Sequence, residues 1–183
     1  MDRKQLLEKI IAREAAMFIA VKASEPADCQ EMLKTFYLMR EMSHSVLVAD
    51  TLTSYLQDLE TAAAAGRNLM TEKYARMENL IPSLNENELI YKIVDIERKW
   101  LSEVHKKYPL TIAVEGGFTT YAVCELETYS DATLNLYYRD IFLAATQKRN
   151  LVEERYQYLY GNLGFKDLEE VEALAQKRAA LKE

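Results

Sequence analysis

Two stretches of this chain are near copies of each other. Gly66 to Met77 reads GRNLMTEKYARM, and eighty-two residues later Lys148 to Leu159 reads KRNLVEERYQYL. Arg, Asn, Leu, Glu, a basic residue and Tyr fall in the same register. The likeness extends in both directions. LLEKIIAREAAMF (Leu6 to Phe18) matches LIYKIVDIERKWL (Leu89 to Leu101), pairing Ile10 with Ile93, Glu14 with Glu97 and Met17 with Trp100. Leu52 matches Leu134, Tyr55 matches Tyr137, and Asp58 matches Asp140. TFYLMREM from Thr35 lies opposite TTYAVCEL from Thr119, a weaker match. Matches that keep their order and offset indicate one supersecondary unit written twice, each unit burying its apolar face against the other.

The periodicity within a unit is helical. Leu6, Leu7, Ile10, Ile11, Glu14, Met17, Phe18 and Val21 recur at steps of three and four. Ser24-Glu25-Pro26 should end this first helix, because Pro26 lacks a backbone N–H and pushes its predecessor from helical angles. A second pattern runs from Cys29 to His44, carried by Met32, Leu33, Phe36, Met39 and Arg40. The third is long, from Leu52 through Tyr55, Leu59, Ala63, Gly66, Met70 and Met77 to Leu80, with Pro82 beyond it. Some 30 residues at 1.5 Å each predict a rod of roughly 45 Å. Asp167 and Glu170 have capping-box spacing for a last helix. The expected fold is therefore all-α: one domain, 1–183, of two similar three-helix repeats, 1–82 and 83–162, with a C-terminal helix at 166–181. The repeats should share one core as a six-helix pseudo-symmetric bundle.

Composition narrows the function classes. Only 5 Gly and 3 Pro in 183 residues leave little material for a turn-rich β fold. Asp plus Glu number 29 against 23 Lys plus Arg, a net charge of −6, which argues against nucleic acid as a partner. No apolar run is long enough to span a bilayer, and the first residues have no signal-peptide pattern. Cys29 and Cys124 are far apart and in no CxxC motif. A cytoplasmic setting is the expectation.

Two motifs carry a resemblance. GRNLMTEKYARM and ELETYSDATLNLYY (Glu125 to Tyr138) are similar to a bacterial domain-of-unknown-function family, number four-one-two-five, over roughly Leu6 to Val171. The resemblance implies an all-helical cytoplasmic bacterial protein and transfers no catalytic residues. Relatives carry an Arg-Gly pair just before the second motif, where this chain has Val123 and Cys124, so no role of that pair transfers. Some relatives occur beside nucleotidyltransferase-like domains.

Several constellations have residue types that chemistry uses. Glu41 and His44 have the Glu-x-x-His spacing of di-iron bundles, but the matching segment, Glu125 to Thr128, lacks the His; no metal and no cofactor are expected. Arg98 and His105 have the Arg–His spacing of HEPN-type helical RNases, a proton-transferring His with an Arg facing phosphate. A polar His105 near a helix end is the plainer reading. Five tyrosines, Tyr137, Tyr138, Tyr156, Tyr158 and Tyr160, need hydroxyl partners if buried, and carboxylates such as Glu154 can serve.

The recurring polar residues are Asn68 and Glu72 in the first copy, Asn150 and Glu154 in the second, with Arg67 and Arg149 beside them. Residues four apart share a helix face. In one reading the asparagines mark a kink or cap, with Glu72–Arg76 and Glu154–Tyr158 as surface pairs. In the other, Asn68, Glu72, Asn150 and Glu154 line a polar ligand pocket between the repeats. The expectation carried forward is a non-catalytic ligand-binding or interaction module, with a small molecule, a protein or a second copy as partner. The alternative is a HEPN-like RNase or nucleotidyltransferase accessory using Arg98 and His105.

Overall fold

The first helix starts where its sequence says it should. Asp2 accepts a hydrogen bond from Gln5 N–H, while the Gln5 side chain accepts from Asp2 N–H, a reciprocal capping box. The computed structural model describes residues 1–21, 29–114 and 116–181. Among these, every regular element is an α-helix: α1 (Arg3–Ala20), α2 (Cys29–His44), α3 (Ala49–Ala64), α4 (Leu69–Met77), α5 (Leu89–Lys107), α6 (Phe118–Leu126), α7 (Asp131–Thr146), α8 (Leu151–Asn162) and α9 (Leu168–Ala180). The Ser24-Glu25-Pro26 break falls outside the described residues. Among the described residues no helix is long and apolar enough to cross a membrane.

The long third helix does not form. It divides into α3 and α4 in the first expected unit and into α7 and α8 in the second, so each unit holds four helices rather than three. The cause is local. Gly66 (φ 69°) and Lys148 (φ 57°) both take the left-handed conformation. Each closes a Schellman cap: Arg67 N–H bonds to Ala62 O at 2.8 Å, and Arg149 N–H to Ala144 O at 2.9 Å. Gly66 and Lys148 are thus alike in backbone despite their unlike side chains. The next helix then starts on Asn68 or Asn150 as its N-cap. A 3.6-residue pattern continues across such a break, so periodicity alone joined the two pieces. Leu80, expected at the end of the seam, is exposed; α4 stops on another left-handed residue, Asn79 (φ 57°), before Pro82 is reached.

Helix α1 packs on α2, α3 and α4, and α5 packs on α6, α7 and α8. The two groups meet chiefly where α3 packs on α7, α2 on α8, and α4 on α6. Ile10, Leu52, Leu59 and Leu69 are fully buried, as are Ile93, Leu134, Ile141 and Leu151 at the matching positions. Between α3 and α7 the bonds are reciprocal. Asp140 accepts from Val48 N–H (3.2 Å) and the Thr51 hydroxyl (2.6 Å), while Asp58 accepts from Ser130 N–H (3.0 Å). Helix α9 packs on α8.

A buried ion network lining a central cavity

Glu14 and Glu97 sit on otherwise apolar helix faces, and a carboxylate there must find partners or unfold the core. Both find a tyrosine: Tyr55 donates to Glu14 at 2.7 Å, and Tyr137 donates to Glu97 at 2.8 Å. Each also meets a cation. The Arg40 guanidinium grips Glu14 with two hydrogen bonds, Nε at 2.9 Å and Nη2 at 2.5 Å. Arg155 Nη2 lies 2.7 Å from Glu97 Oε1 and 2.5 Å from the Tyr137 hydroxyl.

Further charges extend the first cluster. Arg40 Nη1 donates to Glu125 at 3.1 Å, and Lys73 Nζ donates to the same carboxylate at 2.6 Å. The Lys73 ammonium lies 3.6 Å from the centre of the Tyr121 ring. His44 Nε2 is 3.1 and 3.2 Å from the two Glu14 oxygens. Glu14 is fully buried, Arg40 is 3% exposed and Lys73 is 2% exposed, so these are desolvated charges. Burial alone pushes the Glu14 carboxyl up, but Arg40 and His44 outweigh it and hold it at about 2. Burial opposes ionisation of Glu125 too, and Arg40 with Lys73 carries it well below the usual carboxylate range. Burial and the neighbouring Glu14 push the Tyr55 hydroxyl well above its ordinary value, keeping it a neutral donor.

This network walls a cavity of about 610 Å³ between α2, α5, α6 and α8. Arg40, His44, Glu97, Glu125 and Arg155 supply its ionisable lining, and Tyr121, Tyr129, Tyr137 and Tyr156 its phenols. Met42, Met77, Leu101, Phe118 and Val152 supply apolar wall. Met39 and Tyr121 line it while remaining about two-fifths exposed, with Ala113 and Gly117 beside them, which places an opening there. One buried donor is unused: Arg155 is 9% exposed, and its Nε has no hydrogen-bond partner among the described residues.

The four recurring polar residues are placed elsewhere. Asn68 Oδ1 accepts from Met70 and Thr71 N–H, and its Nδ2 donates to Met17 O at 2.8 Å. Asn150 accepts from Glu153 N–H and donates to Trp100 O at 3.1 Å. Each asparagine therefore caps one helix and ties it to the matching α1 or α5 position. Glu72 pairs with Arg67 and Glu154 with Arg149, not with Arg76 and Tyr158; Arg76 pairs with Glu127 instead. None of Asn68, Glu72, Asn150 and Glu154 lines the cavity. Arg98 is exposed and within 3.4 Å of Asp95, and His105 Nδ1 lies 2.6 Å from Ile112 O; neither lines the cavity. Among the described residues no three His, Cys, Asp or Glu side chains gather to hold a metal ion.

The sequence reading missed Arg40, Lys73, Glu125 and Arg155 as a set. The available signal was Glu14 and Glu97 inside apolar stripes, each matched by a Tyr. The basic position shared by Lys73 and Arg155 in the duplicated motif pointed the same way.

The fold and site define an all-helical protein with a charged, phenol-rich cavity at its centre. By sequence the chain belongs to the family described as Protein of unknown function (DUF4125), whose model matches residues 4–173. No curated protein and no solved structure matches it.

Proposed function

We propose that this protein binds a small molecule in the central cavity and does no chemistry on it. The observation that carries the reading is the cavity of about 610 Å³ lined by the Glu97–Arg155 pair together with Arg40, His44 and Glu125. Ligand sites run to roughly 300–1,000 Å³, mostly apolar with a few placed polar groups, and this lining has that character. The ionisable groups suit binding better than proton transfer. Glu14, held at about 2, is a weak base, and the tyrosines beside it are driven away from ionisation. A cytoplasmic setting belongs to the same proposal and rests on composition and on Cys124, which is free and buried. The RNase alternative gains nothing from the placement of Arg98 and His105 outside the cavity.

Ala122→Phe tests the reading, because Ala122 is buried on the cavity wall and a phenyl group there takes up space a ligand would need. A thermal-shift screen of chemically varied small molecules should find compounds that raise the melting temperature of the native protein and not of the folded variant. Equal shifts in both proteins, or no shift at all, reject the proposal.

A further inference from the structure

We infer that the ligand is a neutral aromatic molecule carrying an N–H or O–H donor, and that Oε2 of Glu97 accepts from it. This rests on the binding reading above and names its chemistry. Glu97 is 5% exposed and lines the cavity. Its Oε1 is engaged: the Tyr137 hydroxyl donates to it at 2.8 Å and Arg155 Nη2 at 2.7 Å. Its Oε2 accepts no hydrogen bond among the described residues, and it is not a sealed atom as Arg155 Nε is. It therefore opens on the cavity. A carboxylate oxygen left bare in such a place gains from any donor that reaches it.

The first copy shows what this oxygen lacks. Glu14, at the matching position, has both oxygens served. Arg40 Nη2, His44 and the Tyr55 hydroxyl meet Oε1; Arg40 Nε and His44 meet Oε2. In the second copy Tyr137 repeats Tyr55, and Arg155 Nη2 takes the place of Arg40 Nη2. Nothing repeats the donors to Oε2. Cys124 and Thr128 stand at the positions that match Arg40 and His44. Cys124 has only a thiol, a weak donor, and the Thr128 hydroxyl donates to Glu125 O at 2.7 Å. The long side chains of α2 serve Glu14, and their short counterparts at the end of α6 leave Glu97 facing open space.

Charge and shape set the rest of the class. Arg155 already meets the single charge of Glu97, so an ammonium brought to Oε2 would be a second buried cation without a counterion. A carboxylate or phosphate would face a like charge there. A neutral N–H or O–H makes a hydrogen bond to a charged acceptor and adds no charge. Phe118, Tyr121, Tyr129 and Tyr137 give the cavity aromatic walls, against which a ring can stack or stand edge-on.

Calorimetric titration of the full chain with indole, benzofuran and 1-methylindole reads the donor directly, because the three share a bicyclic ring and indole alone carries the N–H. Indole should bind at least tenfold more tightly than either. Tryptophol and tryptamine, alike in size, read the charge: the ammonium of tryptamine should weaken binding at least tenfold. A smaller difference in either comparison overturns the inference, as does no binding of indole. Glu97→Gln has one oxygen to offer, which Tyr137 and Arg155 hold, and turns an NH₂ toward the cavity. It should cut the preference for indole over benzofuran at least threefold; a smaller change in a folded variant overturns the inference. The native series decides the class even where that variant fails to fold. If the wider screen finds ligands blocked by Ala122→Phe while indole binds no better than benzofuran, this inference falls and the binding reading stands. If nothing binds, both fall.

Discussion

Replacing Arg40 by Met tests whether the ion network holds the two halves together. The side chain keeps a similar length and loses its charge. Glu14, fully buried, then keeps only the Tyr55 hydroxyl and His44, and Glu125 keeps Lys73. Removing one partner from a buried ion pair costs about 3–5 kcal/mol. A second route gives a similar figure. A carboxyl displaced from 4.5 to about 2 carries about 3 kcal/mol at neutral pH, at about 1.4 kcal/mol per pH unit. The sign follows from the folded value lying below the unfolded one. This stability is present in full above about pH 5 and is lost as pH falls toward 2. Without Arg40, burial raises the Glu14 carboxyl, so the variant gains stability on protonation where the native protein loses it. Urea unfolding followed by circular dichroism should show a deficit of about 3–5 kcal/mol at pH 7 that narrows by about 1 kcal/mol or more at pH 4. A deficit under about 1 kcal/mol at pH 7, or one that does not change with pH, refutes the reasoning.

The remaining predictions concern the helix breaks and the surface. Asn68→Ala and Asn150→Ala should each cost about 1–2 kcal/mol in urea unfolding, because each asparagine caps a helix and bonds a carbonyl of α1 or α5. Ligand affinity should be unmoved by either. Gly66→Ala should cost about 1–2 kcal/mol at its left-handed position, and Lys148→Gly should stabilise by up to about 1 kcal/mol for the same reason; changes of opposite sign contradict the caps. Arg67→Gln and Arg149→Gln remove solvent-facing pairs and should each change stability by less than about 1 kcal/mol.

The helical class, the order of the elements and the apolar positions were legible in the sequence because a 3.6-residue pattern reports one face directly. Ile10, Leu52, Leu59 and Leu69 are buried as that pattern requires. The breaks were not legible in that way. Ala62 to Asn68 keeps the helical phase while Gly66 reverses the backbone, and Lys148 does the same without a glycine to announce it. The polar residues divide by burial. Asn68, Glu72, Asn150 and Glu154 recur because a cap and its neighbouring ion pair are needed twice. Glu14 and Glu97 recur because each must satisfy a buried tyrosine. Arg40 and Glu125 lie in the poorly matched second helices and come together only when α1, α2 and α6 pack, so no local spacing announces their contact.

Methionine methyl resonances offer the most direct measurement of the central claim, that the cavity is a ligand site. Met39, Met42 and Met77 line the cavity; Met1, Met17 and Met70 do not. In protein carrying ¹³C-labelled methionine methyls, titration with a compound found by the thermal-shift screen should move the signals of Met39, Met42 and Met77 along one saturable curve and leave those of Met1, Met17 and Met70 in place. Shifts spread evenly over these six of the seven methionines, or none on Met39, Met42 and Met77 at concentrations where calorimetry records binding, contradict the account.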